Sequence, residues 1–270
     1  MNSAIQLIST DFDGTFFAEF EKPPVPATLQ RLIGQLQTQG AKWVINTGRD
    51  LSSLLETMTR AHLSVEPDFL VTVEREIHRH EGSRYVSHLD WNRRCSEAHE
   101  ELFTRVKDDL PKMIDWVNAR FEATIYEDSY SPFCLLAGNN ADADAIVEFL
   151  TWYCGLIPNL TVMRNDVYAR LSHKDYNKGT ALAEIARLLN LSRDHTLAAG
   201  DHLNDLPMLS LEFAAFLVAP ANAVPAVKET VLHQAGYVSN QPWGFGLERG
   251  LEYFLNGHPV QHAALNPKPD

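Results

Sequence analysis

Alternating strand-like and helix-like segments at both ends of the chain, separated by a middle with a different rhythm, constrain this sequence most. Ala4–Ser9 is a short apolar run that leads to Asp11. Pro26 to Gln39 carries apolar residues at Leu29, Leu32, Ile33 and Leu36, the stripe of one helix face, with Pro26 near its start and Gly40 just past its end. Lys42–Asn46 predicts a second strand, Leu51–Arg60 a second helix and Asp68–Val73 a third strand. The pattern resumes with a helix over Thr180–Leu189, strands at His195–Ala199 and Ala214–Val218, and helices over Ala223–Ala235 and Leu247–Leu255. Strands separated by helices predict an α/β fold whose parallel sheet is covered on both faces.

Residues 83–171 read differently. Strand-like pieces at Tyr85–His88, Ala123–Tyr126, Phe133–Ala137, Leu160–Met163 and Val167–Leu171 alternate with helices over Ser96–Leu110, Pro111–Arg120 and Ala141–Tyr153. Several strands per helix predict an α+β module inserted into a discontinuous core made of residues 1–82 and 172–270. The tail from His258, with prolines at 259, 267 and 269, is expected to fray.

Composition narrows the partners. A chain of 270 residues that is 45% hydrophobic and 21% charged can bury a core, which excludes wholesale disorder. Its 35 acidic against 23 basic residues give a net charge of −12, a poor match for nucleic acid or an anionic membrane. No apolar run approaches the roughly 20 residues that span a bilayer. The first ten residues lack a basic and then apolar leader, so the expected location is cytoplasmic. Cys95, Cys134 and Cys154 are odd in number and lack C-x-x-C spacing, as reduced, buried thiols would be. In that setting the sequons at Asn159 and Asn190 carry no weight.

Ligands of such sheets bind beyond the carboxyl ends of the strands, and four polar clusters fall there. Asp11-Phe12-Asp13-Gly14-Thr15 sets two acids two residues apart before a glycine that permits a sharp turn. Such a pair can share the work of nucleophile, acid/base and metal ligand. Thr47-Gly48-Arg49 precedes a helix, where a hydroxyl, an amide and the helix N-terminus favour an anion. Lys178-Gly179 brings a point charge to the start of another helix. Gly200-Asp201-His202-Leu203-Asn204-Asp205 is an acidic strand-end loop of metal-ligand character. Blander readings stand beside these: Thr47, Asn204 and Asp205 could cap helices, and Lys178 alone could be a surface lysine.

Taken in order, DFDGT (11–15), TGR (47–49), NKG (177–179) and GDHLND (200–205) resemble the motifs of haloacid dehalogenase-superfamily phosphatases. The position of the insert resembles the C2 cap class of Cof-type hydrolases and sucrose-phosphate phosphatases. The Gln241-Pro242-Trp243-Gly244-Phe245-Gly246 segment before a helix is similar to the latter branch. The resemblance implies a Rossmann-like core and an α+β cap that controls access. It implies that Asp11 attacks phosphorus and that Asp13 serves as acid and then base. Mg²⁺ would be held by the Asp11 carboxylate, the Asp13 backbone carbonyl and Asp201. Thr47, Gly48, Lys178 and Asn204 would hold the phosphoryl oxygens, with Asp205 behind Lys178 or a metal-bound water. Neighbouring carboxylates are expected to keep Asp13 protonated by like-charge repulsion.

The implied substrate is a small phosphorylated metabolite, most readily a sugar phosphate such as sucrose 6-phosphate, with no nucleic-acid or membrane partner. A phosphomutase on the same scaffold and a non-catalytic binding protein are the alternatives. A true dehalogenase is disfavoured by Asp13. Arg49 could touch substrate or form an ion pair. The histidines at 78, 80 and 88 read as a solvated face. Arg170 and His173 are candidates for a cleft between cap and core, and the five tryptophans read as packing residues.

Overall fold

Among residues 4–257, which the computed structural model describes, the first strand β1 (Leu7–Thr10) is buried at every position. It is followed by α1 (Ala27–Thr38), β2 (Lys42–Asn46), α2 (Leu51–Arg60) and β3 (Phe69–Thr72). An antiparallel hairpin comes next, β4 (Glu76–Glu81) and β5 (Arg84–Ser87). The middle contains α3 (Leu89–Val106), α4 (Leu110–Asn118), β6 (Ala123–Tyr126), β7 (Cys134–Ala137), α5 (Asn140–Cys154), β8 (Leu160–Asn165) and β9 (Tyr168–His173). The chain then makes α6 (Lys178–Leu188), β10 (Thr196–Ala199), β11 (Phe216–Ala219), α7 (Pro225–His233), β12 (Tyr237–Val238) and α8 (Trp243–Leu255).

Eight strands form one sheet in the order β12-β11-β10-β1-β2-β3-β4-β5, parallel from β12 to β3. The register sets Thr10 beside Ile45 on one side and Ala199 on the other, so the residues after these strands emerge together at one edge. Successive side chains point to opposite faces. Ile8, Trp43 and Ile45 pack under α1, α2 and α8, while Leu7, Val44 and Ala198 pack under α6 and α7. The predicted two-sided burial is therefore observed. A second, four-stranded antiparallel sheet, β6-β7-β9-β8, has its own core of residues such as Leu102, Val117, Phe133, Ile146 and Leu171.

Three expectations need correction. The strand expected at Tyr85–His88 as part of the insert is β5, hydrogen-bonded to β4 at the edge of the large sheet. Its polar alternation reflects an edge strand with one solvated face. The C-terminal helix begins at Trp243 rather than Leu247, because its glycines are contact points: a Cβ on Gly246 would lie 2.3 Å from the Gln241 carbonyl oxygen. His78 is buried and hydrogen-bonds Thr72 Oγ1 at 3.1 Å, whereas His80 and His88 are part-exposed beside Glu66 and Glu184. The short β12 carried no sequence signal strong enough to predict it. The proline-rich tail from His258 lies outside the described residues. Among the described residues no helix is long and apolar enough to cross a membrane, and all three cysteines are free and buried.

Candidate active site

The loop after β1 is built around aromatic anchors. Phe12, Phe16 and Phe17 are buried, with Phe12 stacked on Phe17 at 4.9 Å, while Asp13 between them is exposed and Thr15 is buried. Gly14 has φ +80°, and a Cβ there would sit 2.4 Å from Asp201 Oδ2, so only glycine fits. Thr15 Oγ1 donates to Asp201 Oδ1 at 2.8 Å, and Asn222 Nδ2 donates to the Gly14 carbonyl at 2.8 Å and to Asp201 Oδ2 at 3.3 Å. The first and fourth motifs thus meet across 186 residues of chain.

Lys178 is not ahead of its helix but is the first residue of α6, which Asn177 caps. Its main-chain carbonyl is held by Asn46 Nδ2 at 2.9 Å. Its fully buried ammonium donates to Asp11 Oδ1 at 2.7 Å and Asp205 Oδ1 at 2.6 Å. Burial alone would lower its pKa, but the charges of Asp11 and Asp205 outweigh it, so Lys178 is held cationic. Burial and the nearby Asp205 charge, then Asp201, push the Asp11 carboxyl up against the opposing pull of Lys178. The same two leading causes, burial and Asp205, push Asp201 up to about 7.

Asp11, Asp201 and Asp205 bring one carboxylate oxygen each to within 4.8 Å of one another. Burial and carboxylate crowding push the Asp11 and Asp201 carboxyls up, and a divalent cation among the three would relieve that crowding. Asp205 is already committed: besides Lys178, its Oδ2 accepts the amides of Asp201 at 2.8 Å and His202 at 2.9 Å. Asp11 and Asp201 are the better-placed ligands. Two carboxylates with room for waters suit Mg²⁺, so the donor set fits that ion.

Thr47 accepts the Arg49 amide on Oγ1 at 3.2 Å and does not cap α2; Asp50 does, accepting from the Ser53 amide at 3.0 Å. Arg49 closes a two-pronged ion pair on Asp13 and also donates to Ser53 Oγ and Thr57 Oγ1. The hydrogen bonds that Arg49 donates to Asp13 raise the Arg49 pKa, with burial opposing them. The carboxylate-crowded surroundings expected for Asp13 are thus replaced by a guanidinium. Asp13 is also about half exposed, at 46%.

The turn between β3 and β4 contributes a residue that the sequence reading missed. Val73 and Glu74 both adopt left-handed backbone, at φ +44° and +67°. Non-glycine residues held there cost of order 1–3 kcal/mol each, and a β-branched one is a true outlier. The Glu74 amide donates to the Thr47 carbonyl at 2.9 Å and the Val73 amide to the Arg49 carbonyl at 2.9 Å. Glu74 itself is buried and pairs with buried Arg170 of β9 at 2.9 Å, while its Oε1 accepts from Asn204 Nδ2 at 2.9 Å. The available signal was a short link between two strands with neither glycine nor asparagine at its centre.

A cavity of about 160 Å³ gathers Asp11, Asp13, Thr47, Gly48, Arg49 and Glu74 with Asn165 and Tyr168 from the β8–β9 hairpin. The small sheet therefore roofs the site, and the Asp166 amide at the hairpin tip donates to His202 Nδ1 at 3.3 Å. Arg170 reaches this junction as a buried partner of Glu74 and does not line the cavity. His173 lies instead in a separate cavity with Tyr176 and Leu203. Asn204 also lines that second cavity, of about 350 Å³, whereas one of about 660 Å³ beside Leu51, Met58 and Tyr85 contains none of the site residues.

The sequence pattern of haloacid dehalogenase-like hydrolases matches residues 97–241, and that of sucrose-6F-phosphate phosphohydrolase matches residues 4–131. The sucrose-phosphatase of Synechocystis sp. PCC6803, solved with sucrose and phosphate, superposes with a TM-score of 0.69 at 20% identity, over 93% of this chain and 98% of that one. A haloacid dehalogenase-like hydrolase from B. subtilis gives a TM-score of 0.62 at 18% identity, covering 94% and 100%. The Bacillus subtilis protein YxeH, which carries a phosphatase name, is 23% identical over 253 residues, 85% of this chain and 92% of its own.

Proposed function

Because this chain belongs to the haloacid dehalogenase-like hydrolases, we propose that it is a Mg²⁺-dependent phosphomonoester hydrolase acting on a small phosphorylated metabolite, a sugar phosphate. The observation that carries the reading is Lys178, a fully buried cation paired with Asp11 and Asp205 in the cluster that Asp201 completes. A bound Mg²⁺ would supply the positive charge that lets a carboxylate approach a phosphate dianion.

Asp11 attacks phosphorus; the bond to the leaving oxygen breaks, and the phosphoryl group passes to the Asp11 carboxylate. Asp13 must take up a proton against the pull of Arg49 before it protonates the departing alkoxide, and it then takes a proton from the water that releases orthophosphate. Thr47, the Gly48 amide, Lys178 and Asn204 hold the phosphoryl oxygens, where charge stabilisation lowers the barrier most. Asp201, with Asp11 and the Asp13 backbone carbonyl, would hold the ion. Asp205 keeps Lys178 oriented.

The four-stranded module acts as the cap, excluding water and choosing the leaving group. The membership of β5 in the large sheet and of β9 in the small one supports cap limits between Ser87 and Leu89 and after His173. The similarity to a sucrose-phosphatase supports a sugar phosphate, with sucrose 6-phosphate among the candidates. Three free, buried cysteines support a reducing compartment such as the cytoplasm.

The test is orthophosphate release across a panel of phosphorylated metabolites with Mg²⁺. Release that EDTA stops and Mg²⁺ restores is the expected result. Metal-free hydrolysis of p-nitrophenyl phosphate would sink the mechanism. Phosphate moved between substrate positions without release would assign a mutase instead.

A further inference from the structure

We propose that Glu74 is a positioning residue that orients the phosphate cradle and couples it to the docked state of the cap. The inference rests on the phosphatase reading above and extends it to a residue outside the four motifs.

The backbone argues first. Val73 and Glu74 form the centre of a tight link between β3 and β4, where asparagine-glycine would meet the positive φ values without strain. The two strained amides donate to the carbonyls of Thr47 and Arg49, on either side of Gly48. The turn therefore clamps the loop whose hydroxyl and amide receive phosphate. Gly48 itself is exposed, and a Cβ there would stand 3.3 Å from Glu74 Oε1, so this carboxylate borders the loop directly.

The side chain argues second. Asn204 Nδ2 is held by Glu74 Oε1, whereas Asn204 Oδ1 is buried without a hydrogen-bond partner. Glu74 is thus the group that decides which way the Asn204 amide points. The other carboxylate oxygen takes Arg170, 3% exposed, whose guanidinium also donates to the Val73 carbonyl at 2.5 Å. Arg170 stands on β9 of the cap sheet, Asn204 on the acidic loop and Glu74 in the β3–β4 turn at the end of the core sheet. One carboxylate therefore ties three elements together. When the cap lifts, Arg170 leaves, Glu74 is released, and Asn204 loses its fixed orientation. Phosphate then meets an ordered cradle only under a closed cap. A buried ion pair is weak evidence for stability, so its value here is register.

The test uses three variants of the full chain with Mg²⁺ present: Glu74→Gln, Glu74→Gly and the double variant Glu74→Gly/Arg170→Met. Orthophosphate affinity is read from the phosphate-dependent rise in melting temperature, and kcat and KM from p-nitrophenyl phosphate. Glu74→Gln keeps an acceptor for Asn204 and should weaken orthophosphate binding less than Glu74→Gly, for which a loss of about 10- to 100-fold is expected. The double variant removes the stranded buried cation as well. It should regain melting temperature without regaining phosphate affinity, which a purely structural residue would not do. Affinity within about twofold of wild type in the double variant, well under the tenfold scale of a lost supporting contact, overturns the proposal. So does wild-type protein that binds no orthophosphate. Wild type that binds orthophosphate but releases it from no phosphomonoester refutes the phosphatase reading alone, and the variant affinities still decide the role of Glu74.

Discussion

Arg49 grips Asp13 with two prongs of its guanidinium, Nε to Oδ2 at 2.6 Å and Nη2 to Oδ1 at 2.7 Å. The same guanidinium reaches Ser53 and Thr57, so the direction of the Asp13 carboxylate is tied to α2. Lysine cannot reproduce the planar fork. Arg49→Lys is expected to lower kcat by about 10- to 100-fold, part of what a positioned acid/base contributes. Its Mg²⁺ dependence should be unchanged. Steady-state kinetics over a Mg²⁺ titration checks both, and an unchanged kcat would free Asp13 from this dependence.

Asp11→Asn should abolish turnover, since the amide cannot accept the phosphoryl group. Its stability should move the other way. Asp11 is buried beside two further carboxylates that push its pKa up, so removing its charge relieves repulsion. In EDTA the variant should melt at or above the wild-type temperature. A clear drop there would mean that the crowding is not felt.

Lys178→Met removes the ammonium on which Asp11 and Asp205 converge. Uncompensated buried charge costs about 3–5 kcal/mol, roughly 10 °C in melting temperature for a chain of this size. Because a cation can replace the lost charge, Mg²⁺ should restore part of the difference. Calorimetry with and without Mg²⁺ reads both effects.

Glu184 offers a pH test away from the site. Arg187 hydrogen bonds, opposed by burial and aided by His88, pull its carboxyl from 4.5 down to about 2. A depressed carboxylate stabilises the fold fully above its unfolded value and loses that contribution as pH falls through its folded value. The stability gap between wild type and Glu184→Gln should be constant near neutrality, shrink below about 4.5 and vanish towards 2. Urea unfolding at pH 7 and pH 3 measures it; equal gaps would remove the charge from the explanation.

What was legible in the sequence was local. Asp11, Asp13, Thr47, Lys178 and Asp201 announce themselves because each lies in a short polar segment beside an apolar strand or a helix start, and Lys42–Asn46 and Leu51–Arg60 match their elements to the residue. Glu74 and Asn222 were hidden, and the ion pair allowed for Arg49 had no named partner, because the partners are remote: Glu74 meets Asn204 across 130 residues. Polar alternation disguised β5 as part of the insert, since an edge strand and a module with one wet face look alike. Gly244 and Gly246 hid the first turn of α8, because close packing needs what helix propensity penalises.

The placement of β1 between β2 and β10 has a consequence for how the molecule is born. Asp11 leaves the ribosome 167 residues ahead of Lys178. At roughly 5–20 residues per second that is a wait of about 10 to 30 s. During it, the cap sheet, whose core residues all lie between Leu102 and Leu171, can collapse by itself. The first strand meanwhile keeps one edge open until β10 arrives. A nascent chain that ends before Lys178 therefore holds the Asp11 carboxylate without its ammonium partner, and the pair can close only after residue 178 has been made.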